Sequence, residues 1–133
     1  MQDPPRIPEL IEAVREFLER DALPELRGRT RFLARVSVNV LGLVLRELEL
    51  APAAEAAERE RLAELLGRPV PDLDEGNREL CRRIREREIG LADEALRAHL
   101  WQTTLAKLAV DQPRYSGCLA ARERLHGGRG GAA

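Results

Sequence analysis

Lys107 is the only lysine in a chain of 133 residues that carries 21 arginines. It stands in "TTLAKLAVDQPRY", inside a run of leucine, alanine and valine. Lysine presents a compact ammonium with three donors, where arginine presents a planar fork, so a single retained lysine points to a tight geometric requirement. Its stem can lie along apolar surface while the ammonium reaches a partner. Asp111, four residues on, is the nearest candidate. A specific role for Lys107 divides between a structural ion pair and a ligand contact, since buried charges are normally paired. Chance retention of one lysine is the plain alternative.

Arg35, Asn39, Gly42 and Arg46 are spaced four, three and four apart, which sets them in one narrow stripe along a helix. Arg31 and Glu49 extend the stripe at its ends. On an amphipathic helix such a stripe is ordinarily the face that meets water. Asn39 argues for more. Its amide competes for backbone hydrogen bonds and makes it a mediocre helix former, so a specific hydrogen-bond partner explains it better. Arg114 and Tyr115 follow in "DQPRYSG", where a tyrosine ring and hydroxyl can anchor the end of a bundle. Arg35, Asn39, Arg46, Lys107, Arg114 and Tyr115 form the candidate ligand-binding set. Three cations and one amide converging between the second and fifth predicted helices would suit a phosphate or carboxylate through charge-assisted hydrogen bonds.

Periodicity supplies the elements that would carry these residues. Pro4, Pro5 and Pro8 open a first helix, whose Leu10, Ile11, Val14, Phe17 and Leu18 share one face, and Pro24 closes it. A second predicted helix runs from about Thr30 to Leu50, apolar on most of its sides and therefore central. Pro52 opens a third, with Leu62, Leu65 and Leu66 buried and Gly67 as its C-cap. Asp72 and Glu75 resemble a capping box for a fourth, with the stripe Leu73, Leu80, Cys81 and Ile84 and with Cys81 as a small core residue. Asp93 caps a fifth, from about Glu94 to Asp111, on which Leu96, Leu100, Thr103 and Lys107 make one stripe. Trp101, Leu105 and Leu108 make a second arc. Short connections favour antiparallel neighbours. The expected fold is all-α, an up-and-down bundle of about five helices, with one domain over residues 1–118. Residues 119–133 are expected to be a short helix or a disordered, Gly-rich tail.

Composition agrees and excludes several classes. Apolar residues make up 44 % and charged residues 34 %, dominated by helix formers, with only 3 % aromatics. The net charge of −1 gives no general pull toward nucleic acid. Two cysteines and two histidines, with no CxxC spacing, do not make a zinc site. No cofactor and no metal are expected. The longest charge-free stretch, Val36 to Leu45, is about half a membrane span, and the N-terminus has no apolar signal core. A cytoplasmic location with reduced thiols follows as the expectation.

"RVSVNVLGLVLREL" (Arg35 to Leu48) followed by "KLAVDQPRY" (Lys107 to Tyr115) resembles an uncharacterised bacterial family of short helical proteins, over roughly Pro5 to Tyr115. Its matching positions would be Arg35, Asn39, Arg46, Glu47, Lys107, Pro113 and Tyr115. What the resemblance implies is a setting: genes beside aminoglycoside-phosphotransferase-like kinases and acyl-CoA dehydrogenases, hence acyl-CoA or lipid metabolism. A phosphotransferase-like kinase, an acyl-CoA dehydrogenase or a second copy of the chain is then the expected partner, and a CoA ester would be a fitting anion.

Two functions remain in view. One is a non-catalytic accessory or protein-interaction domain, favoured because the sequence holds no P-loop, no Gly-rich phosphate loop and no supported Ser-His-Asp set. The other is a small-molecule binder or unusual enzyme built on the six residues above. Inward-pointing cations unsatisfied by carboxylates would favour the second.

Overall fold

A computed structural model of the chain describes residues 4–117 and Ala120. Among the described residues the structure is all-helical, 80 % helix with no strand, and has four helices rather than five. The tail expected over residues 119–133 lies outside the described residues, Ala120 excepted.

Helix α1, Ile7–Phe17, starts as its prolines demand. Pro8 occupies the first turn, where its missing N–H costs nothing, and the Glu9 carboxylate accepts from the Arg6 N–H at 2.7 Å. The chain continues through a wider π turn, Leu18–Ala22, and a short α turn, Leu23–Glu25, and stops at Leu26, whose backbone is extended.

Helix α2, Gly28–Leu66, is one helix of 39 residues with Pro52 inside it. This corrects the two separate helices expected on either side of that proline. Proline removes one backbone donor and disfavours helix at the residue before it. The flanking run "LRELELAPAAEAAERERLAELL" is almost entirely Leu, Ala, Glu and Arg, whose helix propensity outweighs the interruption. Gly67, at φ +68, ends α2 in the left-handed conformation expected of a glycine C-cap.

Helix α3, Leu73–Arg85, is capped by Asp72, whose carboxylate accepts from the Glu75 N–H at 2.8 Å. Helix α4, Glu94–Asp111, is capped by Asp93, which accepts from the N–H groups of Ala95 at 2.8 Å and Leu96 at 3.2 Å. Both caps stand where the sequence indicates them.

The chain divides into two compact units, Met1–Ala51 and Pro52–Ala133, so the division falls at Pro52 within α2. The core cluster belongs to the second unit: Leu62, Leu66, Val70, Leu80 and Leu96, with Ala63, Leu65, Leu73 and Ile89 packed against it. Gly76 is buried beside Val70, and a Cβ there would lie 2.5 Å from Cγ1 of Val70. Cys81, expected in the core, is exposed. It is rotated about 100° around α3 from the buried Leu80, and the packed face runs through Gly76 and Leu80 instead. In the first unit Leu23 and Val38 are the buried apolar residues, and α1 has no buried residue. No helix among the described residues is long and apolar enough to cross a membrane.

Candidate interaction surface

The six candidate binding residues divide between the units. Arg35, Asn39 and Arg46 belong to the first, and Lys107, Arg114 and Tyr115 to the second. Arg35 and Asn39 are exposed, so burial supplies no reason for an amide at position 39. Arg46 is half-buried and has an interaction partner. Lys107 is exposed, and no ion pair joins it to Asp111 among the described residues. Arg114 is exposed. The Tyr115 ring lies over Gly117, and its N–H donates to the Gln112 carbonyl at 2.9 Å, so its contacts are those of a local turn.

The reason Lys107 is exposed lies in which line of α4 packs. One packed line runs Leu96, His99, Thr103, Ala106 and Val110, at alternating spacings of three and four, while buried Ala109 and half-buried Leu105 and Leu108 lie off it. The leucine-rich line through Leu100 and Lys107 is displaced from it and exposed. His99 therefore occupies a central position that the sequence left to a histidine with no evident neighbours.

His99 is only 2 % exposed, and its Nδ1 has no hydrogen-bond partner among the described residues. Around this level of the second unit, Arg61 Nη2 donates to Thr103 Oγ1 at 3.3 Å, and Asn77 Nδ2 donates to Glu58 Oε1 at 2.9 Å. Burial and the Arg61 guanidinium hold the imidazole below its usual pKa, while Glu58 pulls weakly the other way. The ring is thus neutral at pH 7 and shut off from solvent. Among the described residues no group of three or more His, Cys, Asp or Glu could hold a metal ion.

The first unit also exposes a run of apolar side chains. On the first-unit part of α2, Phe32, Leu33, Val36, Val40 and Leu43 fall within about 100° of the helix circumference. All five are exposed, Phe32 at 65 % and Val40 at 52 %. Scattered exposed apolar residues are ordinary, and a contiguous band of this kind is the feature of this unit that a partner surface would use. On the opposite side of α2, Leu45, Leu48 and Glu49 line, with Pro8, Glu9, Glu12, Ala13 and Glu16 of α1, an open groove of about 730 Å³ with an acidic rim. The sequence shows this band as part of a helix apolar on most sides. Nothing in the periodicity says which side stays uncovered.

A helical chain with a packed second unit and an uncovered apolar helix face in the first is the class that these features define. The chain belongs to the family described as a domain of unknown function, DUF6285, whose model matches residues 24–115. The match takes in α2, α3 and α4, ends at Tyr115, and begins at Pro24 rather than near Pro5, so α1 lies outside it. No curated protein and no solved structure matches the chain.

Proposed function

We propose that the chain is a non-catalytic accessory domain that acts by presenting the exposed face of α2 in its first unit to another helical surface. The observation that carries this is the band Phe32, Leu33, Val36, Val40 and Leu43, apolar, contiguous and exposed on a well-formed helix. An amphipathic helix laid against a helical groove or face is a common recognition mode, read out through anchors at i, i+3, i+4 and i+7. Phe32, Val36, Val40 and Leu43 stand at i, i+4, i+8 and i+11, a spacing that likewise keeps them on one face of the helix. The resemblance of "RVSVNVLGLVLREL" and "KLAVDQPRY" adds a setting: acyl-CoA or lipid metabolism, or a small-molecule kinase of the phosphotransferase kind.

The test is a photo-crosslinking amino acid introduced at Val40 in the full chain, expressed in native cells, with the same group at exposed Glu64 of the second unit as control. A discrete adduct from position 40 alone is expected. The reading is lost if position 40 yields no adduct above the position-64 control.

A further inference from the structure

Arg29 and Glu47 lie at the two ends of the apolar band, and both are exposed. They are 18 residues apart, which is five turns at about 3.6 residues per turn, so they share one line down the middle of the band. Neither has an ion-pair partner among the described residues. The band is also the same read in either direction. Counting from position 38, Arg29 and Glu47 are nine residues out on opposite sides, and Val36 and Val40 are two residues out. Phe32 and Leu43 lie along one edge and Leu33 and Val44 along the other, each pair equidistant from position 38 to within one residue.

This pattern is what an isologous two-fold contact requires, in which residue i meets j of the partner and j meets i. Two α2 helices laid antiparallel about position 38 bring Val36 against Val40 at the centre. Phe32 then meets Leu43, Leu33 meets Val44, and each Arg29 meets the Glu47 of the other copy. A parallel arrangement would instead set Arg29 against Arg29 and Glu47 against Glu47, and like charges in contact oppose association.

The area is sufficient. The five exposed apolar side chains offer roughly 400 Å², using about 150–200 Å² for a full aliphatic or aromatic side chain. Interfaces are a little over half apolar, so the matching footprint is roughly 700 Å² per copy, close to the ~800 Å² per partner of a stable pair.

We infer that the partner of the exposed α2 face is a second copy of this chain, docked antiparallel about position 38 with Arg29 of each copy paired to Glu47 of the other. This rests on the interaction-domain reading and names its partner.

The experiment is sedimentation equilibrium of the full chain at low salt, with Arg29→Glu, Glu47→Arg, their equimolar mixture and the double variant. All positions are exposed, so folding is checked by circular dichroism alone. A dimer is expected for the parent. Each single variant should weaken it by about tenfold or more, since two like-charge contacts replace two pairs. The mixture and the double variant should both recover it, because each restores opposite charges at both contacts. Val40→Glu should abolish it. A monomeric parent overturns the inference, as does a dimer indifferent to both single variants. These outcomes separate from loss of the broader reading. With a monomeric parent, an adduct at position 40 containing a different polypeptide keeps the interaction domain and removes only the second copy.

Discussion

Arg83 Nη2 donates to the backbone carbonyl of Leu66 at 3.2 Å, so a side chain of α3 caps the last residue of α2. A helix end leaves its final carbonyls without intrahelical partners, and a cation is the favourable group to place there. The same guanidinium donates from Nε to Glu79 at 3.0 Å, which fixes its fork.

Arg83→Met keeps much of the aliphatic stem and removes the cap. Arg83 is half-buried, and a hydrogen bond from a charged donor is worth about 1.5–3 kcal/mol, so a loss of about 2 kcal/mol is expected. Urea unfolding of parent and variant measures it. A change under about 0.5 kcal/mol would show that water replaces the cap at no cost.

Gly76→Ala places a methyl 2.5 Å from Cγ1 of Val70 and 3.4 Å from Cδ1 of Leu62, inside the core cluster. Overpacking of this kind costs about 1–3 kcal/mol despite alanine's better helix propensity. The compensating variant is Gly76→Ala with Val70→Ala, which removes the clashing methyls. Thermal unfolding of the three proteins decides it, and a Gly76→Ala chain more stable than the parent would contradict the packing.

His99 and Glu79 divide the acid response into two windows. The folded pKa of His99 lies below its unfolded value near 6.5, so below that pH the unfolded chain takes up a proton that the folded chain refuses. Stability from this group is full above pH 6.5 and falls as the pH drops toward the depressed folded value. Hydrogen bonds from Arg82 and Arg83 lower the Glu79 carboxyl from 4.5 to about 2, so its contribution is present above 4.5 and is lost as the pH falls toward 2. His99→Leu should therefore flatten the stability profile from pH 6.5 downward, leaving the loss below pH 4.5 intact. At pH 7.5 it should change stability by less than about 1 kcal/mol, because an unpaired polar group gives way to an apolar one of similar size. Denaturant unfolding at pH 7.5, 5.5 and 3.5 reads both windows; an unchanged slope between 7.5 and 5.5 would assign the upper window elsewhere.

Pro52→Ala restores a donor for the Leu48 carbonyl and removes the steric conflict of a proline inside α2. Proline costs about 3 kcal/mol in a helix interior, partly offset by the ~1 kcal/mol it takes from the unfolded chain's freedom. A gain of about 2 kcal/mol is expected, seen as a rise in Tm of several degrees. A variant that loses stability would mean that the proline ring itself contributes packing.

Much of the helical framework is legible in the chain. Asp72, Asp93 and Gly67 mark ends through side-chain and backbone chemistry that acts within three residues, so no distant neighbour can alter it. Pro52 misleads for the opposite reason: its local penalty is real, but it is set against favourable propensity spread over the turns on both sides. The choice of face on α4 is harder still. The line through Leu96, Leu100, Thr103 and Lys107 and the line through Leu96, His99, Thr103, Ala106 and Val110 both have helical spacing. Leucine content favours the first. Packing covers the second, and that preference exists only once the neighbouring helices are in place. Lys107 was the residue most conspicuous by type, and His99 the one made conspicuous by burial.

Continuity and cooperativity part company in α2. Its 39 residues form one helix, yet the hydrogen-bond ladder lacks a rung at Pro52, and the buried leucines that resist opening lie to the C-terminal side of it. Local opening free energy follows buried apolar contacts, so the stretch before Pro52, with Val38 its one buried residue, is the part of the helix that frays most readily. That is also the stretch that carries the exposed face. A partner that covered Phe32 and Val40 would supply the burial that the chain withholds from them, and would couple ordering of the helix to recognition in one thermodynamic event.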